Sequence, residues 1–154
     1  FLAPGRTPRA IVGAMRFRNR VLLGVGVVWL VASLVPLDRD NPPVVADLEA
    51  PPEVEEVLRR ACYDCHSNET DWPWYAWVAP VNLLVTQDVA AGRYQLNFSE
   101  WGTIEEDVQE AIREDIWAVV ESGEMPPPQY RIPRARGKLS DADREILREW
   151  GEYR

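Results

Sequence analysis

The run Cys62-Tyr63-Asp64-Cys65-His66 holds both cysteines and the only histidine of a 154-residue chain within five positions. Two thiols and an imidazole this close can share a single helical turn, and the fold has to be built around that turn. A structural zinc site takes four nitrogen or sulfur ligands; the chain offers three, with carboxylates an uncommon completion. A thioredoxin-type dithiol expects C-x-x-C inside a βαβ pattern, which the sequence lacks. A plain disulfide suits an oxidising compartment but leaves His66 without a role.

Covalently attached haem uses all three side chains. In C-x-x-C-H the thiols of Cys62 and Cys65 add to the porphyrin vinyl groups as thioethers, and the adjacent His66 imidazole coordinates the iron. Elimination narrows the sixth ligand. There is no second histidine, both cysteines are used, and of the two methionines Met15 precedes a long apolar run. That leaves Met125, in "SGEMPPPQY", where three prolines stiffen the loop that carries the thioether. The plain alternative for a lone methionine is core packing. A thioether ligand favours ferrous iron and raises the potential.

Trp72, Trp74, Tyr75 and Trp77 follow directly and are expected to form aromatic walls that keep water off a porphyrin, with polar tips free to donate hydrogen bonds. Arg93, Tyr94, Trp101, Tyr130 and Arg131 are candidate partners for the propionates. With no second histidine to act as acid or base, peroxidase chemistry is not expected. The reading is an electron carrier rather than an enzyme or a gas sensor.

Between Val21 and Leu37 run 17 residues without an ionisable side chain, about 25 Å as a helix, the short end of a membrane span. A cleaved leader is the alternative, since Arg16, Arg18 and Arg20 make a charged n-region and Val31-Ala32-Ser33 resembles a cleavage site. The reading adopted is an uncleaved single-pass anchor, for which Met15 is a more ordinary start than Phe1. Arginines before the run and acids after it orient residues 1–20 to the cytoplasm. A haem domain over 53–154 then lies outside the cytoplasm of a bacterial membrane, on a proline-rich tether over 38–52.

All 25 acidic residues lie from Asp38 onward, with 12 of the 17 basic ones, a formal −13 over residues 38–154. Such a domain repels nucleic acid. A redox partner steered by charge would present a basic face; the alternative is an accessory subunit of a larger respiratory or photosynthetic membrane complex, off the main electron path.

The periodicity predicts about four short helices and no strand. Val54, Val57, Leu58 and Ala61 form an apolar stripe leading into Cys62. A second helix spans Pro80 to Ala91 and stops at Gly92, with Val81, Leu84 and Val85 inward. A third starts at a Thr103/Glu106 capping box and ends at Gly123. A fourth has Ser140 as its N-cap and turns Ile146, Leu147 and Trp150 inward.

The ordered blocks CYDCHSNETDWPWY, AP, DVAAGRYQLNFSEW, GEMPP and LSDADREILREW, over about 100 residues, resemble the small haem-binding domain family of bacterial c-type cytochromes. The resemblance implies an all-α, cytochrome c-like fold with one haem c on Cys62 and Cys65, His66 as proximal ligand and Met125 as distal ligand. It implies no particular redox partner, and the apolar N-terminal run lies outside it.

Overall fold

Pro52 opens the helix on which the fold turns, α2 (Pro52–Ala61), with Glu53 and Glu55 in its first turn and Arg59 and Arg60 in its last. This polarity complements the helix dipole. Its stripe Val54, Val57, Leu58 and Ala61 is buried, as the 3.6-residue period predicts. In this computed structural model, which describes residues 8–152, with side chains from Phe17 onward, the described residues contain seven α-helices and no strand.

The chain divides into two compact units, Phe1–Asp38 with Pro73–Leu84, and Arg39–Trp72 with Val85–Arg154. The first holds α1 (Pro8–Ser33) and the 3-10 turn Trp74–Trp77. Within it the Trp29 Nε1 donates to the Ala79 carbonyl at 2.9 Å. The expected anchor over 21–37 is not borne out. Helix α1 ends at Ser33, so its uncharged part, Val21 to Ser33, rises about 20 Å against roughly 30 Å of bilayer hydrocarbon. No helix among the described residues is long and apolar enough to cross a membrane. The single-pass anchoring, and the placement of the domain outside the cytoplasm that rested on it, fall with it. Expectations about Phe1 and the rest of the first seven residues lie outside the described residues.

In the second unit α2 runs through a bend at Cys62 into the single turn α3 (Tyr63–His66). Next come the C-terminal part of α4 (Val81–Gln95), α5 (Glu106–Glu121), the short α6 (Pro128–Arg131) and α7 (Asp141–Glu152). Seven helices thus stand where four and a span were expected. The core joins Val57 and Leu58 of α2 to Ile116 and Val120 of α5 and to Leu147 and Trp150 of α7, with Phe98 and Trp101 between. Leu58 and Leu147 are fully enclosed. Leu58→Ala is expected to cost about 2–5 kcal/mol, read as a lower denaturant midpoint with unchanged slope.

The caps differ in part from expectation. Ser140 does cap α7: Asp143 N donates to Ser140 Oγ at 3.2 Å and Ser140 N to Asp143 Oδ2 at 2.7 Å. Asp143 also pairs with Arg60 of α2 at 2.8 Å. The Thr103/Glu106 box does not form, because Thr103 ends a 3-10 turn (Phe98–Thr103) and its hydroxyl donates to Glu100 O at 2.7 Å. Helix α4 does not stop at Gly92 but continues to Gln95. Its buried positions include Asn82, Val89 and Gly92, while Val81 and Leu84 are exposed.

The segment read as a tether is irregular, as its prolines predict, but it lies along the second unit. Val45 and Ala46 donate to the Ser99 carbonyl at 3.0 Å, Gly102 donates to Ala46 O at 3.0 Å, and Leu48 is buried in the core.

Candidate functional site

Helix α3 places the five-residue motif. The Cys62 carbonyl accepts from Cys65 N at 3.1 Å and His66 N at 3.0 Å, which gathers both thiols and the imidazole on one side of the turn. Tyr63 and Asp64 are buried, 3% and 8% exposed, whereas Cys62, Cys65 and His66 are only partly covered. Tyr63 stacks on Phe98 with centroids 5.2 Å apart. Its hydroxyl donates to Asp47 at 3.0 Å, and the Arg59 guanidinium lies 4.6 Å over its ring. The two residues between the cysteines are thus more deeply buried than the cysteines and the histidine themselves.

His66 is held in place by a backbone carbonyl. Its Nδ1 donates to the Leu96 carbonyl at 3.1 Å, which assigns the neutral tautomer with its lone pair on Nε2. Burial lowers its pKa, outweighing the opposing pull of the Leu96 and Gly92 carbonyls, so the ring is neutral at pH 7. Phe98 meets the ring edge-on, centroids 6.3 Å apart. Helix α4 approaches so closely that a Cβ on Gly92 would lie 2.4 Å from the Cys65 carbonyl oxygen.

The thiols are poor nucleophiles in this setting. Burial, then the neighbouring Cys65, pushes Cys62 up to about 12, against Arg60. Burial, then Asp64 and Asp88, pushes Cys65 up to about 12 as well. Both are protonated at neutral pH, unlike the low-pKa thiolate of a redox dithiol.

The residues also fit haem where polar groups await a partner. Trp72 Nε1 is buried with no hydrogen-bond acceptor, a donor whose isolation costs about 1–3 kcal/mol and which a carboxylate would relieve. Beside Met125 opens a cleft of about 330 Å³ with Pro126, Ile132 and Leu139 as apolar wall and Arg131, Lys138 and Arg144 as cations. Cys62, Cys65 and His66 do not line this cleft, and Arg144 Nη1 already donates to Val120 O at 2.6 Å. The sequence profile of the haem-binding domain family matches residues 27–152. The chain belongs to that family. Haem is accordingly its cofactor, and the family assignment takes in the motif, Gly92 and the Met125 loop together. No curated protein and no solved structure matches the chain.

The remaining candidates from the sequence differ in their surroundings. Met125 is partly buried and its N donates to Val119 O at 3.0 Å, just past Gly123, whose φ of 78° ends α5. Arg93 is engaged elsewhere. It donates to Ser67 O at 2.8 Å, Asp40 O at 2.9 Å, and Asn41 Oδ1 and Thr70 Oγ1 at 2.8 Å, tying residues 40–41 to the loop after His66. Tyr130 donates to Asp64 Oδ2 at 2.7 Å; burial, then this bond, raises its pKa and keeps it a donor. Trp74 and Trp77, with Tyr75, lie in the first unit and are 78% and 57% exposed for the two tryptophans. Trp101 is core, and Tyr94 is exposed.

Sequence reasoning missed Asp64, Gly92, Leu96 and Phe98. Leu96 acts through a backbone carbonyl, which no side chain advertises. Asn97 did carry a signal, as an Asn capping the turn after it: its Oδ1 accepts from Ser99 N at 3.1 Å.

Proposed function

We propose that this haem-binding protein is a monohaem c-type cytochrome that carries single electrons, with haem bound through Cys62 and Cys65 and ligated by His66 and Met125. The observation that carries the reading is the His66 hydrogen bond to Leu96 O at 3.1 Å on the same turn as the two thiols. Bound haem supplies an iron that changes by one electron. The chain orients the imidazole through Leu96, and that outer bond raises the ligand's basicity. Met125 is delivered by the end of α5 and the prolines after it, and a thioether there raises the potential. With both axial positions filled from the chain, the site transfers electrons rather than binding substrate. The formal −13 over residues 38–154 favours a partner with a basic face.

Met125→Ala is expected to abolish the methionine-to-iron charge-transfer band and to lower the midpoint potential, within the roughly 0.8 V range that axial ligands span. Optical spectroscopy and redox titration of the purified holoprotein check this. A band of wild-type strength in the variant removes Met125 from the site. Rapid, complete carbon monoxide binding by the reduced wild-type protein at neutral pH would instead indicate an open iron position.

A further inference from the structure

We propose that Asp64 is a positioning residue, the centre of an ionic latch that holds the loop carrying Met125 against the haem-attachment turn. The proposal rests on Met125 as the distal ligand. Asp64 is 8% exposed, and a carboxylate so buried is strongly unfavourable unless it is paired. The partners of its Oδ2 come from one later segment. Tyr130 Oη donates to Oδ2 at 2.7 Å, Arg134 Nη1 lies 2.8 Å from Oδ2, and Arg136 Nη2 lies 3.2 Å from it. Oδ1 accepts from Asp71 N at 3.1 Å, and the Asp71 carboxylate pairs with Arg136 at 2.7 Å and Arg134 at 3.3 Å. Two carboxylates and two guanidiniums thus balance in charge.

The same segment is gripped from α2. Arg60 Nη1 donates to Arg136 O at 2.7 Å and Lys138 O at 3.1 Å. The 3-10 turn Ala135–Gly137 closes on the Tyr130 ring, leaving no space for a Cβ on Gly137, which would come within 2.2 Å of Cε1. Between Met125 and Tyr130 stand only Pro126, Pro127, Pro128 and Gln129. Prolines fix φ, so a hold on Tyr130 is transmitted to Met125. Upstream, Met125 N is bound to Val119 O. Asp64, one of the two residues between the cysteines, thereby links the turn bearing the proximal ligand to the loop bearing the distal one.

The test uses the full holoprotein with Asp64→Asn, which keeps side-chain size and removes the charge. Covalent haem and His66 ligation are expected to persist. The methionine-to-iron band should fall to less than about half, and amide exchange over 126–137 should speed by about tenfold or more, with exchange in α5 and α7 unchanged. Where Met125→Ala loses the band, a band of wild-type strength in Asp64→Asn overturns the proposal whatever the exchange does. If Asp64→Asn does not mature, Tyr130→Phe, which deletes one hydroxyl, gives the same two readings, and an unchanged band there overturns it. Met125→Ala is measured alongside. If that variant keeps the band, the ligand assignment fails by itself and the latch is judged on exchange alone, where wild-type rates over 126–137 overturn it.

Discussion

Gly92→Ala is expected to cost about 3 kcal/mol of stability and to cut the yield of haem-loaded protein about tenfold or more. The added Cβ would sit 2.4 Å from the Cys65 carbonyl oxygen and 2.9 Å from its carbon. Both are backbone atoms, so no rotamer change relieves the clash and α4 must move away from the attachment turn. That movement reaches His66, the proposed proximal ligand, because Leu96 N bonds to Gly92 O at 2.9 Å and the Leu96 carbonyl holds His66 Nδ1. Gly26→Ala is the control: a Cβ there meets nothing within 4 Å, and alanine is the better helix former. Denaturant unfolding and haem-stained gels of the two variants decide the matter. Wild-type stability and loading in Gly92→Ala would show that the helices separate without consequence.

Denatured protein is expected to keep its haem, with a mass one haem above the chain and a pyridine haemochrome spectrum of the c type. Cys62→Ala should leave a single thioether and shift that spectrum toward a vinyl-bearing haem. On the proposed ligation His66→Ala removes the ligating ring itself, so loading should fall by more than the roughly 10- to 100-fold that loss of an outer-shell partner costs. Expression without a c-type maturation system should yield apoprotein, destabilised by the loss of a ligand bound only by the folded state. A metal-free domain of full stability with Cys62 and Cys65 joined as a disulfide would sink the cytochrome reading.

Much of the local structure was legible in the residues alone. The α2 stripe of Val54, Val57, Leu58 and Ala61, the Ser140 cap and the stop at Gly123 all follow from relations between residues three or four apart. The side chains of Cys62, Cys65 and His66 announce their chemistry by spacing, which is why haem could be named before any fold was known.

Gly92 reads locally as a helix stop, and only the approach of Cys65, 27 positions earlier, shows that it is a contact point inside α4. Arg93 reads as a candidate propionate partner, and only the fold shows that Ser67, Asp40, Asn41 and Thr70 close around it. The stretch 38–52 reads as a spacer until Leu48 enters the core. A run of 17 uncharged residues reads as a span until the helix through it ends at Ser33. By itself the sequence determined that the chain is a haem protein and which helix ends are set by a local signal, as at Ser140 and Gly123, because those depend on residue type and near neighbours. The tertiary structure alone decided what approaches Gly92, Asp64 and Arg93, because those partners lie far away along the chain and are set by packing.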